Sequence, residues 1–266
     1  MIRKYFKQTF AAILVSIAVF IAAGISTAED EKAPDPQSPE FPTYVMAKID
    51  DLYRGLRSHG TMEMNVKTRH WERSMTLESW SLGRDYSLVR ILKPKKEKGS
   101  ATLKAKDDLF MYLNKTGRTI KITSGMMGGS WMGSHFTNDD LVRHTRFSED
   151  FKIKLSFQGD RDGQKVYVFT LIPNPDSPVV WGRVDVTVRQ SDLQPLSQLF
   201  YDEDGKKVRI LESSNHTEID GRMMPMKMVM RPLDGSGEYT EVLWKEIKFN
   251  INLSQSFFTL QKLRSL

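Results

Sequence analysis

Between residues 61 and 249 the chain alternates apolar and polar residues with a period of two, run after run, and little else can fold from that pattern but a sheet. Met62, Met64 and Val66 alternate with Glu63, Asn65 and Lys67. Met75 and Leu77 alternate with Thr76 and Glu78, and Gly83-Arg84-Asp85 marks the turn that follows. The pattern resumes over residues 86–92, 101–106, 109–114 and 118–123, with breaks at 93–99, 107–108 and 115–117. After one long interruption it returns over 152–157, 165–172, 181–189, 195–201, 206–213, 223–231 and 238–249. Several of these runs are separated by turn pairs such as Asp162-Gly163 and Asp204-Gly205. Connections this short join antiparallel neighbours, and no strand–helix–strand rhythm appears. The expected fold is mainly β: an incomplete antiparallel β-barrel, or strongly curved sheet, of about a dozen strands, with an N-terminal helix and a mid-chain helical lid.

The interruption, residues 124–147, reads SGMMGGSWMGSHFTNDDLVRHTRF. Met126, Met127, Trp131, Met132 and Phe136 put apolar bulk on a backbone loosened by Gly125, Gly128, Gly129 and Gly133. Thr137 and Asp140 have the spacing of a capping box with Asp in place of Glu, so a short helix is expected over 138–146. Such a segment can serve as a lid over an apolar cavity or as a packed plug at the end of a sheet.

Ahead of the sheet, Met46, Ile49, Leu52, Tyr53 and Leu56 recur at helical spacing. A helix is expected over 43–58, capped by Thr43 and stopped by Gly60. Residues 1–28 have the three parts of a secretory signal: Arg3, Lys4 and Lys7, an apolar run over 10–25, and Ser26-Thr27-Ala28 before Glu29. Cleavage after Ala28 is expected, and intact-mass measurement of the exported protein should find residues 1–28 gone. Their removal takes the formal charge from +6 to +3, too mild to imply a polyanionic partner, and no basic-aromatic stripe points to nucleic acid. Residues 29–42 are acidic and proline-rich and read as a disordered tether, leaving 43–266 as the folded half-barrel domain. With no cysteine anywhere, neither a disulfide nor a lipid-modified Cys can form, which suits a periplasmic protein whose core holds unaided.

Strand alternation turns Met224, Met226, Met228 and Met230 to one face, opposite Lys227 and Arg231. Together with Met62, Met64, Met75 and Leu77 they make an inward face rich in thioethers, which repack around varied ligands more readily than branched side chains do. These eight residues and Met126, Met127, Trp131, Met132 and Phe136 are the expected ligand-binding set. A search for chemistry finds little. The five histidines have no ligand spacing, so no metal is expected, and no nucleophile motif or phosphate loop implies a catalytic residue or cofactor. Ser134 beside His135 is the one nucleophile–base neighbour. Lys93, Lys95, Lys96 and Lys98 make a basic hairpin loop able to touch an anionic membrane or an acidic partner.

In GTMEMNV (60–66), KEKGSATLK (96–104), GGSWMGSHFTNDDLVR (128–143), PDSPVVWG (175–182), QLFYDEDGKKVR (198–209), GRMMPMKMVMRPLDG (221–235) and FFTLQKLR (257–264), the chain resembles the outer-membrane lipoprotein-sorting proteins, relatives of the LolA/LolB-like lipoprotein carriers. The resemblance implies a half-barrel whose concave apolar face is covered by helices and takes up acyl chains. It further implies a periplasmic, non-enzymatic, monomeric carrier that shuttles the acyl chains of a lipoprotein or lipid between an inner-membrane exporter and the outer membrane, touching membranes transiently. Two other readings stay open: an accessory subunit of a resistance–nodulation–division exporter that binds no cargo, and a periplasmic enzyme acting on a lipid or glycan.

Overall fold

The computed structural model describes residues 33–52, 57–142, 146–175, 177 and 179–265. The signal, its cleavage point and residues 29–32 of the tether lie outside the described residues. Helix α1 spans Phe41–Asp51, two residues earlier than expected. Pro42 stands in its first turn, where a missing N–H costs nothing. Phe41, assigned by composition to the tether, is buried and packs edge-on to Tyr167 at 5.1 Å. Tyr53 and Leu56, counted on the helical stripe, lie outside the described residues.

Thirteen strands follow: β1 Arg57–Lys67, β2 Glu72–Leu82, β3 Tyr86–Lys93, β4 Ala101–Ala105, β5 Asp108–Leu113 and β6 Arg118–Ile122, then β7 Phe151–Arg161, β8 Gln164–Pro173, β9 Arg183–Arg189, β10 Pro195–Tyr201, β11 Lys207–Ile219, β12 Arg222–Pro232 and β13 Tyr239–Phe249. They form one antiparallel, curved, unclosed sheet in the order β6-β5-β4-β3-β2-β1-β13-β12-β11-β10-β9-β8-β7. The topology is two meanders joined by the β1–β13 pairing, with β6 and β7 as the two free edges. The segment from residue 123 to 150 must therefore travel from one edge of the sheet to the other. That is the structural meaning of the break in alternation.

Gly60, expected to stop the helix, lies inside β1 opposite Ile247. A Cβ there would stand 2.5 Å from the Glu246 carbonyl oxygen and 2.9 Å from the Trp244 ring, so glycine is required by close approach. Beside it, Thr61 pairs with Glu246 and Met62 with Trp244, leaving Lys245 unpaired in a bulge. The extra residue moves the inward positions of β13 from Val242 and Trp244 to Ile247 and Phe249, all of which pack inside.

Inward side chains form two main clusters. One gathers Phe169, Val184, Val186 and Val188 of the β7–β10 half under α1, whose Val45, Met46 and Ile49 are buried against them. The other gathers Met62, Met64, Met75, Leu77 and Ile91 of the β1–β3 half under Trp131. On the opposite face, Leu88 and Leu103 are covered by the C-terminal segment. There α4 (Leu260–Ser265) buries Leu263, and the Phe258 ring lies tilted against Tyr86 at 5.6 Å, so the tail docks on the body.

Candidate functional site

The connecting segment is built from tight turns. Two 3-10 turns, Ser124–Met126 and Trp131–Gly133, precede α2 (Asn138–Val142) and α3 (Phe147–Asp150); residues 143–145 of the expected 138–146 helix lie outside the described residues. The Trp131 amide donates to Phe136 O at 2.8 Å, and the Asn138 amide donates to Gly129 O at 2.9 Å. The glycine-rich stretch is therefore a hydrogen-bonded structure. The capping box forms as its spacing predicts: Thr137 N–H donates to Asp140 Oδ2 at 2.8 Å, and Asp140 N–H donates to Thr137 Oγ1 at 3.2 Å.

Three anchors fasten this segment to the sheet. Trp131, 5% exposed, sits on the Met64–Met75–Leu77 cluster and donates its indole N–H to Thr102 Oγ1 at 3.1 Å. His135 donates its amide to Thr240 Oγ1 at 2.9 Å, and its imidazole reaches Thr240 Oγ1 at 2.8 Å and Glu238 Oε2 at 3.1 Å. The Arg69 amide, followed by that imidazole, holds the Glu238 carboxyl below the ordinary range. Asp140 receives a bidentate pair from Arg209, Nη1 to Oδ2 at 2.8 Å and Nη2 to Oδ1 at 2.6 Å. The guanidinium of Arg209 lies over Trp181 at 4.4 Å and Phe200 at 4.6 Å. A charge so buried is tolerable because it is both paired and faced by two aromatic rings.

Beneath α2 is a cavity of about 350 Å³. Phe136, Phe147, Trp181, Phe200, Leu211 and Met230 supply apolar wall, while Arg209, Arg84, Asp50 and Asp140 place charge around it. Asp50, at the end of α1, accepts the Phe147 and Ser148 amides at 3.0 Å each and so caps α3. This joins the N-terminal helix to the far end of the crossing segment.

The thirteen expected ligand-binding residues divide by location. Phe136 and Met230 line this cavity. Met62, Met64, Met75 and Leu77 are buried directly beneath Trp131, with Met132 and Met228 packed against them. Met224 is buried with Ile247 and Phe249, and Met226 packs on that group. Met127 is half-buried, and Met126 is 42% exposed. Ser134 and His135 do not bond to one another: the serine hydroxyl donates to Trp131 O at 2.7 Å. Among the described residues, no group of His, Asp and Glu gathers that could hold a metal ion.

Sequence reasoning missed Arg209 and its cage. The signal was present, because Arg209 shares strand parity with Leu211 and so puts a cation on the apolar face of β11. Aromatic partners from β10 and from the loop before β9 are set only by tertiary packing.

No curated protein matches the chain. A family model described as "Uncharacterized protein" matches residues 83–265. Among solved structures, a DUF1329 family protein from Desulfovibrio piger is similar at 20% identity, with a TM-score of 0.75 over 84% of this chain and 97% of that one. A putative outer membrane lipoprotein-sorting protein domain from Vibrio parahaemolyticus is similar at 25% identity, with a TM-score of 0.71 over 85% of this chain and 99% of its own. A LolA superfamily protein from Nitrosomonas europaea is similar at 22% identity, with a TM-score of 0.69 over 83% and 98%. The unclosed 13-stranded sheet and these likenesses agree with the resemblance carried by the residues themselves: the chain belongs to the family whose model matches residues 83–265, and its fold is the LolA-like fold of these solved structures.

Proposed function

We propose that this protein is a periplasmic carrier that takes the acyl chains of a lipoprotein or lipid into the cavity beneath α2 and passes them toward the outer membrane. The observation behind this reading is the cavity itself, held between a curved sheet and a segment that the topology forces across its face. Its volume of about 350 Å³ falls in the range of small-ligand sites. Phe136 and Met230 give its wall adaptable apolar surface.

Acyl transfer needs no exceptional affinity. Burying a chain is worth about 0.8 kcal/mol per CH₂, or roughly 12 kcal/mol for a 16-carbon chain leaving water, and a bilayer offers the same amount. A carrier need only match the membrane approximately, and transfer then runs down a small difference toward the next acceptor. In this reading the donor is an inner-membrane exporter, and α2 with the Trp131 loop is the cover that must move.

Gln198 tests it. Its side chain lines the cavity from β10, on the same strand face as Phe200, and it is only half-buried. Gln198→Trp should fill the space and weaken binding of a fluorescent 16-carbon acyl probe at least tenfold, with the melting temperature little changed. Normal probe binding by the folded variant would remove this cavity as the acyl site.

A further inference from the structure

We propose that a second pocket, at the margin of the sheet, binds one acyl chain and the anionic headgroup of a phospholipid at a membrane surface. The pocket has a volume of about 330 Å³ and shares no lining residue with the cavity beneath α2. Ile91, Met111, Leu113 and Met132 give it an apolar wall. Arg73, Lys96 and Lys115 stand around it with a single carboxylate, Glu97. The charge balance is thus opposite to that of the first cavity, where Arg84 and Arg209 face Asp50, Asp139 and Asp140.

That positive charge is not neutralised from within. Glu97 is engaged by Arg73 at 3.4 Å and by Lys96 at 3.9 Å, which leaves Lys115 with no ion pair among the described residues. The buried Nε of Arg73 has no hydrogen-bond partner. Lys93, Lys95 and Lys98 extend the same loop and, among the described residues, are likewise without an ion pair.

The two connections that carry the lysines are tied together. Lys96 sits in the β3–β4 loop and Lys115 in the β5–β6 turn, and Asn114 makes the link. Its side-chain amide donates to Lys98 O at 2.8 Å, and its backbone amide donates to Ser100 Oγ at 3.2 Å. Gly99, at φ +86°, makes this approach possible, since a Cβ there would stand 3.1 Å from the Asn114 amide nitrogen. An apolar pocket with cations on its rim, carried by loops fixed to one another, suits a ligand with an anionic head and a greasy tail better than it suits either alone.

The proposal deepens the carrier reading, on which it rests for the direction of lipid traffic, by naming the surface where the protein meets its membrane. Each lysine near an anionic bilayer is worth about fivefold in affinity at low salt. Lys96 and Lys115 should therefore contribute about 25-fold to the preference of the full chain for vesicles containing phosphatidylglycerol over pure phosphatidylcholine vesicles, and the Lys96→Glu/Lys115→Glu variant should lose at least that factor. Leu113→Gln keeps every charge but makes the wall polar. It should weaken binding of monomeric lysophosphatidylglycerol about tenfold, whereas inorganic phosphate should not compete. Equal binding to both vesicle types, or a preference left undiminished by the double charge reversal, overturns the proposal. So does lysophosphatidylglycerol binding untouched by Leu113→Gln, which would mean surface adhesion only, or displacement by phosphate, which would mean a free-anion site. Melting temperatures of the same variants establish that they are folded. The carrier reading fails separately, through neutral acyl-probe binding that ignores Gln198→Trp.

Discussion

Asp140→Ala is expected to lower the unfolding free energy by about 3–5 kcal/mol, because it leaves a buried guanidinium without its counter-charge. Arg209 is 6% exposed, and its two terminal nitrogens are both committed to the Asp140 carboxylate. Trp181 and Phe200 hold the guanidinium in place, so it cannot swing out to water without giving up both ring contacts. The same carboxylate accepts the Thr137 amide in the capping box, so the substitution also frees the first turn of α2. Urea denaturation of both proteins measures the loss. The double variant Asp140→Leu/Arg209→Met distinguishes a pair that stabilises from one that merely must not be broken. Replacing a buried ion pair by apolar groups of similar volume is often neutral or better, so the double variant should recover most of the stability. If Asp140→Ala costs under about 1 kcal/mol, the pair is solvated in solution and does not hold α2 down.

How much of this site the residues announce depends on the range of the interaction. The strands were legible because alternation is local: Met62, Met64 and Val66 point inward as their parity requires. The capping box of Thr137 and Asp140 was legible for the same reason, being a matter of three residues and two hydrogen bonds. Gly60 misled because glycine ends helices and also permits close approach in sheets; only the Trp244 ring and the Glu246 carbonyl, nearly two hundred residues away, decide between these. The bulge at Lys245 leaves no pattern that parity alone can detect, yet it determines that Ile247 and Phe249 face inward. The four glycines of the crossing segment suggested looseness, but hydrogen bonds within the segment, such as those of the Trp131 amide to Phe136 O and the Asn138 amide to Gly129 O, fix the backbone they free. Most of the architecture is thus written in short-range periodicity. The closure of the site is written in contacts between β2, β4, β11, β13 and a segment that none of them adjoins in sequence.

Trp131→Ala tests whether that closure is a lid or a plug. The residue is almost fully buried, so its truncation should cost about 3–5 kcal/mol, as large-to-small core changes do. Trp131→Phe separates the parts: it keeps most of the packing but strips Thr102, itself buried, of the indole N–H it accepts, for about 1–3 kcal/mol. Stability alone cannot distinguish a cover from a filler, because both lose packing. The backbone beside Trp131 separates them. Met132 stands at φ 50°, ψ 27°, a left-handed conformation costing a non-glycine residue about 1–2 kcal/mol, and Gly133 follows at φ +71°. The closed arrangement is kept by the Trp131 anchor and by an Arg73 guanidinium hydrogen bond to Met132 O. Opening releases that strain, so losing the anchor should favour the open form. For a lid, Trp131→Ala should therefore speed dissociation of a bound acyl probe at least tenfold while its equilibrium affinity changes less, since both loading and release pass the same barrier. Stopped-flow transfer of the probe to acceptor vesicles measures this directly. Dissociation at the unaltered rate from a variant that has lost the expected stability would make the segment a static plug, and the route for cargo would then lie elsewhere along the sheet.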